Sequence, residues 1–382
     1  MAVSAPSRSL TAVPSHEVRI DASKPLQAEP HTGHNRWHPD IPPILRVDPG
    51  DRVALETRDA LDGQVTAQST AEEVGKVNLN VVHPLTGPVY INGAEPGDLL
   101  EIKILEVEPA PFGFTVQIPG FGFLRDEFPD PFIVRWRIAN GAAESADLPG
   151  VRIQGAPFPG TIGLAPSRAL MLAITKREKE LLDRGGMVLP PDPTDAVPDD
   201  SRLAAEALRT VPPRETAGNV DIKALCAGTT MLIPVQVEGA LFSVGDAHFA
   251  QGDGEICGTA IEMRSVFHAQ FFLRKGEAAR RNLRDVAYFR DTYAVPPELG
   301  VPRRYYATTG LSVEKGGLNQ SENATLAARN AMLNMVDHLQ ERGYSRQQAY
   351  AICSVAVDLK ISEVVDVPNV VVSAVLPLDI FV

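Results

Sequence analysis

The stretch GDAHFAQGDGE, residues 245–255, carries Asp246, His248, Asp253 and Glu255 in quick succession. It lies between the apolar runs MLIPVQV (231–237) and GTAIEM (258–263), which read as buried strands. If residues 245–250 are extended, Asp246 and His248 point to one face, because side chains alternate with period two. A neutral imidazole nitrogen beside a carboxylate oxygen suits zinc or a similar divalent ion. Gly252 and Gly254 flank Asp253 and imply a tight turn. Glu255 then starts the next strand and returns toward the same pocket, as a further ligand or as a general base. Each residue also has an ordinary reading: Asp in a turn, His hydrogen-bonded in a core, Glu solvated. The group is harder to explain that way, since a buried carboxylate without a partner costs several kcal/mol. From this stretch alone the metal reading and the structural one stand side by side.

Other candidates lie upstream. His83 sits between apolar runs in VVHPLTGPVYI, and Asp59 follows a strand-like run in ETRDALDGQV. His34 and His38 in HNRWHPDIPP are four apart, but Pro39, Pro42 and Pro43 forbid a helix there, so paired ligation from one helical face does not apply. PPRETAGNVDIKAL supplies Glu215, Asn219 and Asp221, of which Asn219 could donate to a carbonyl oxygen. Cys257 follows Glu255 closely, although a buried free Cys is usually inert packing. No HExxH, GxSxG, GxxxxGK[ST] or strand-following GxGxxG motif occurs.

The elements that must position these residues are mostly strands. RVALETR, PVYINGA, LLEIKILEV, FIVRWRI, ALFSV, VFHAQFFL and NVVVSAVLPLDIF are short alternating or apolar runs bounded by turn residues. They predict a mostly β fold, with sheets packed as a sandwich or barrel and a few helical insertions. Helices are expected from Ser167 as N-cap to the glycines at 185–186, along residues 322–342, and again from Ser345, which has capping-box spacing to Gln348. In the second of these, Ala324, Ala328, Met332, Val336 and Leu339 share one face. Residues 187–200, rich in Pro and Asp, read as a surface loop. The chain of 382 residues is read as one β-rich unit, with 187–200 as the boundary if it is two-lobed.

Acidic residues exceed basic ones by 48 − 36 = 12, and no segment concentrates Lys and Arg, so nucleic-acid binding is not expected. Three cysteines without a CxxC pair argue against a disulfide framework and for a reducing compartment. The first twenty residues lack the apolar core of a secretory signal. No run of eighteen apolar residues predicts a membrane span. The expectation is a cytoplasmic protein with a small-molecule partner.

Taken in order, HNRWHPDIP, the DxxxGQ of 59–64, HPLTGPVYINGAEPGDLLEI, PFPGTIGLAPS, TVPPRETAGNVDIK, GDAHFAQGDGEICGTAIEM, YYATTG and LPLDIF resemble the acetamidase/formamidase family over nearly the whole chain. Features of both branches are present, so the acyl group stays open between formyl and acetyl. The resemblance implies a β-rich fold, hydrolysis of short aliphatic amides to a carboxylate and ammonia, a divalent metal, and a homo-oligomer. On this chain it points to His83, Asp246, His248 and Glu255, with Asp59 as a further candidate. We assign Asp59, His83, Asp246 and His248 as ligands of a divalent ion, zinc by its donors, with calcium as an option for a second ion. Glu255 becomes the general base. Asn219, or a backbone N–H of the 252–254 turn, becomes the oxyanion donor. A small pocket walled by Trp37 or Phe249 would reject long acyl chains. Two other readings compete: a non-enzymatic β-sandwich module holding calcium through oxygens, and a metal-free amidase using Cys257.

Overall fold

A computed structural model describes residues 13–291 and 304–382. Residues 1–12, part of the stretch read for a secretory signal, lie outside the described residues. The fold is mostly β. Fifteen strands join one large branching sheet, and a separate three-stranded sheet is formed by Tyr305–Leu311, Val371–Pro377 and Asp358–Glu363, with Val371–Pro377 in the middle. The branches do not meet to close a barrel among the described residues.

Two long strands form the spine. Leu99–Gln117 and Glu262–Arg274 pair antiparallel along nearly their whole shared length, with register shifts at 263/265 and 268/269 that let the ribbon bend. Past the bend each strand finds different neighbours. Leu99–Gln117 pairs with Thr230–Pro234 near its start and with Phe132–Ala139 near its end. Glu262–Arg274 pairs with Arg52–Thr57, while its first two residues turn to Phe242–His248. The strand Phe242–His248 is also bonded to Leu85–Ile91 and to Phe158–Leu164, so it is buried at every residue.

The bend separates two cores. One gathers Val53, Leu55, Val89, Ile102, Phe242, Val244, Phe267 and Phe271 inside the large sheet. The other packs Trp136, Phe249, Ile256 and Ile261 against the helices Ala324–Glu341 and Arg346–Ala356. The helix ends follow their capping residues. Ser167 accepts from Leu170 N ahead of Arg168–Asp183, and Ser345 and Gln348 form a reciprocal capping box. On Ala324–Glu341 the expected Met332, Val336 and Leu339 are buried, but the buried face is wider and includes Ala327, Ala331 and Met335, whereas Ala324 and Ala328 are half-buried. Residues 187–200 carry no helix or strand.

Two strand expectations differ. MLIPVQV is strand only as far as Pro234. GTAIEM is not a strand until Glu262, because residues 252–261 form a compact irregular segment. Its backbone is held by Gly258 N to Glu255 O (2.9 Å), by Ala260 N to Glu262 Oε1 (2.8 Å) and by Val116 N to Thr259 Oγ1 (2.9 Å). Glu255 therefore lies in a turn rather than at the head of a strand.

Candidate active site

At the C-terminal end of Phe242–His248 the sheet becomes irregular and acidic side chains converge. Asp246 adopts a left-handed backbone (φ 54°), as do Asp221 (φ 48°) and Glu255 (φ 43°). Three non-glycine residues in that sparsely populated region within one site mark a backbone bent to aim side chains inward. Asp246 and His248 thus meet through a local kink, not through the simple alternation of an extended strand. Opposite them Gly160 is required: a Cβ there would lie 2.6 Å from His248 Cε1 and 2.7 Å from Asp221 Oδ1. The same glycine's carbonyl accepts from Val220 N (3.0 Å) and Asp221 N (3.2 Å), which delivers Asp221 to the cluster.

The buried imidazole of His248 is the hub. Its Nε2 lies 3.3 Å from Asp246 Oδ1, 3.2 Å from Glu262 Oε2 and 3.9 Å from Glu255 Oε1. His83 Nε2 is 3.8 Å from Asp246 Oδ2. Potential ligand atoms of Asp221, His248 and Glu255 lie within 4.8 Å of one another, and so do those of Asp246, His248 and Glu262. The other nitrogen of His248 is already committed. Gln251 Nε2 donates to the carbonyl of Asp221 (2.8 Å), so its Oε1 must face His248 Nδ1 at 2.9 Å and accept a proton from it. In the neutral ring Nε2 then carries a lone pair aimed at three carboxylates.

Electrostatics sharpen the point. Among the side chains alone, burial raises Glu255 well above the carboxylate range, with Asp221 adding to it. Burial likewise pushes Asp221 up to about 7 and Glu262 up to about 8, partly offset by His248. Burial would raise Asp246 too, but His83 and His248 hold it well below the usual range. His248 is driven the other way: burial opposes its charge, yet Glu262 and Asp246 raise it well above an ordinary histidine.

Unspent hydrogen-bonding capacity collects here. His83 Nδ1, Asp221 Oδ1 and Glu262 Oε2 are buried without a hydrogen-bond partner. Glu262 Oε2 is near His248 Nε2 but not aligned to bond with it. Buried polar atoms are almost always paired, so four carboxylates, two imidazoles and three orphaned atoms fit a divalent cation. The N/O donor set is one that zinc accepts.

The structure brings together His83, Asp246, His248 and Glu255. Asp221, which the sequence reading names without a role, and Glu262, which it does not name, join them; the only signal of Glu262 was an acid inside the apolar run AIEM. Asp59 is not brought in. Its carboxylate accepts from Leu61 N (3.1 Å) and Gly63 N (3.2 Å), closing its own turn. Glu215 pairs with Arg177 near the surface, and Asp253 faces Lys223 at 3.6 Å. Asn219 lines the cavity beside the cluster and contacts Thr161 Oγ1 at 2.7 Å. That hydroxyl also reaches Asp246 Oδ2 (3.0 Å). Its one proton is shared between two acceptors, Asn219 Oδ1 and Asp246 Oδ2. The amides of Gly252 and Asp253 donate to Ser354 O and Asp358 Oδ1, so neither is free as an oxyanion donor. Cys257 is fully buried and its thiol is pushed up by burial, the opposite of an activated nucleophile. Trp37 packs among Leu85, Met171 and Ile174, and Phe249 lies in the Trp136 core, so neither walls the site.

The cluster opens into a cavity of about 430 Å³, lined by His83, Asp221, Asp246, Glu255 and Glu262 on one side and largely by apolar side chains on the other. This is a hydrolytic site in outline: acids of perturbed pKa, donors that could hold a cation and a substrate-sized space.

Known proteins agree with that outline. The model of the Acetamidase/Formamidase family matches residues 19–382. The formamidase of Methylophilus methylotrophus is 36% identical over 384 residues, covering 95% of this chain and 93% of that protein. The acetamidase of Mycolicibacterium smegmatis is 36% identical over 360 residues, 87% of each. Among solved structures, the γ-lactamase of Delftia acidovorans superposes with a TM-score of 0.91 at 36% identity, covering 96% of this chain and 93% of that one. Matched along nearly its whole length, and with converging acids and histidines at the centre of its sheet, the chain belongs to the acetamidase/formamidase family of amide hydrolases.

Proposed function

We propose that this enzyme is a metal-dependent amidohydrolase that cleaves short aliphatic amides of the formamide and acetamide kind to a carboxylate and ammonia. His83, Asp246 and His248, with Asp221 and Glu262, would hold the divalent ion, zinc by donor chemistry. When bound, such an ion supplies a Lewis acid for the carbonyl and lowers the pKa of water toward neutrality. The observation that carries this reading is His248 Nε2 facing three carboxylates beside orphaned His83 and Asp221 atoms. An imidazole at the hub disfavours a calcium-only module, since calcium takes oxygen ligands.

The chain's own residues do the rest. Glu255 in its ionised form takes a proton from the attacking water, and the burial that favours its protonated form keeps that proton on the carboxyl until it passes to the departing nitrogen. Thr161 holds Asp246 in place, and Asn219 offers a polar edge to the substrate in the cavity. Gln251 fixes the ring orientation and tautomer of His248. Cys257 and Cys353 lie buried outside any disulfide, which supports the expectation of a reducing, cytoplasmic setting. Exposed Ile361, Val364, Val365 and Val367 beside the three-stranded sheet support a homo-oligomer.

The test is ammonia release from formamide, acetamide and propionamide before and after a chelator, with metal content measured on the same sample. We expect turnover that disappears with the metal and returns with added zinc. Full activity in metal-free protein overturns the metal assignment.

A further inference from the structure

We infer that the favoured substrates carry an apolar body much larger than an acetyl group. This rests on the amidase reading and changes its order of preference: formamide and acetamide are cleaved, and amides with a larger apolar body are cleaved more efficiently. Acetamide has four heavy atoms and displaces about 100 Å³, counting about 30 Å³ per water-sized group. The cavity is about 430 Å³. The excess is not a polar, water-filled space. Leu61, Val82 and Ile118 are buried in its inner wall, and Leu79, Phe121 and Met187 stand exposed toward its mouth. Large exposed apolar side chains around an acidic catalytic centre mark a surface that gains by being covered. Formamide covers none of it. An amide of roughly eight to ten heavy atoms covers the inner wall while its amide group reaches Glu255.

Chemistry at the amide is unchanged: water adds to the carbonyl carbon, the C–N bond breaks and the nitrogen leaves with a proton. Selection comes from the part that does not react. Each buried methylene is worth about fourfold in kcat/KM, so the series from propionamide to cyclohexanecarboxamide, four carbons larger, spans about two orders of magnitude.

The experiment is a comparison of kcat/KM for formamide, acetamide, propionamide, isobutyramide and cyclohexanecarboxamide with the metal-loaded enzyme, alongside calorimetric affinities for the same amides. We expect both to climb with apolar size. In Leu189→Trp, which narrows the cavity wall, the ratio for cyclohexanecarboxamide over acetamide is expected to fall at least tenfold. Turnover that peaks at formamide or acetamide, with no gain in affinity for the larger bodies, overturns the inference and leaves amide hydrolysis standing. Ammonia from none of the amides sinks the amidase reading instead, and the affinity series then decides the cavity's preference by itself.

Discussion

His34 and His248 are each 1% exposed, and each lies within reach of the strand Phe242–His248, yet they are opposite in character. His34 has both nitrogens satisfied: Nδ1 against Arg36 O at 2.5 Å and Nε2 against Ser243 Oγ at 2.7 Å. Burial drops it to about 4, so it stays neutral and structural. His248 spends Nδ1 on Gln251 and turns Nε2 toward a ring of acids that raise it far above an ordinary histidine. Asp59 and Asp221 repeat the contrast among carboxylates. The first closes a turn with its own backbone amides, while the second keeps a buried oxygen with no partner. Burial therefore does not separate functional from structural polar residues here. Leftover bonding capacity does where it converges: Gln117 Oε1 and His338 Nε2 are also orphaned, but neither belongs to a group of converging ligand atoms.

The contrast breaks most visibly at the hub. His248→Ala should lose bound metal and reduce amide hydrolysis to background, whereas His34→Ala should keep its full metal content. If both variants retain metal, His248 is not a ligand. Glu255→Gln is expected to keep the ion but lower kcat by about 10²–10⁴, the usual worth of a general base. Metal analysis beside single-substrate kinetics separates the two effects.

Gln251 tests the tautomer argument at intermediate size. Partners of this kind are worth about 10–100-fold in metal affinity. Gln251→Ala should weaken metal binding by that amount in a chelator competition. Gln251→Glu keeps an acceptor for His248 Nδ1 and should restore most of the affinity. Gln251→Lys offers only donors and should bind no better than the Ala variant. Equal affinity in all three would remove Gln251 from the metal's support.

The strands, the three helices and four of the six convergent site residues were legible in the sequence, because alternation, caps and an unusual density of acids are local patterns. The remainder depends on non-local satisfaction. DALDGQ has the right residue types, but nothing in its spacing says that Leu61 and Gly63 will take the Asp59 carboxylate. Glu262 was hidden because GTAIEM has the composition of a buried strand, while Ala260 and Thr259 are drawn into side-chain contacts that delay the strand to Glu262. The wall of the cavity was misplaced for a related reason. Trp37 and Phe249 are the large side chains near the chemistry in sequence, but His34 and Gly155 draw them into packing elsewhere.

The structural members of the comparison should show stability effects instead of catalytic ones. His34→Ala and Asp59→Ala each leave buried partners unmatched, at about 1–3 kcal/mol. Denaturant unfolding should register that loss while metal content stays at the wild-type level. A large loss of bound metal in Asp59→Ala at unchanged stability would restore Asp59 as a ligand.

Cys257 should give the smallest effect of all. Its Sγ donates weakly toward Thr259 O and Val116 O, and it has no imidazole in hydrogen-bonding contact and no solvent path. A hydroxyl fits the same contacts with shorter bonds, so Cys257→Ser should hold kcat/KM within about twofold and change stability by about 1 kcal/mol. An alkylating reagent should label the thiol only as the protein unfolds, since burial keeps it protonated. If Cys257→Ser instead abolished turnover with metal content intact, the leftover-capacity argument would fail where it is most explicit, for a thiol whose partners are all accounted for would be doing the chemistry.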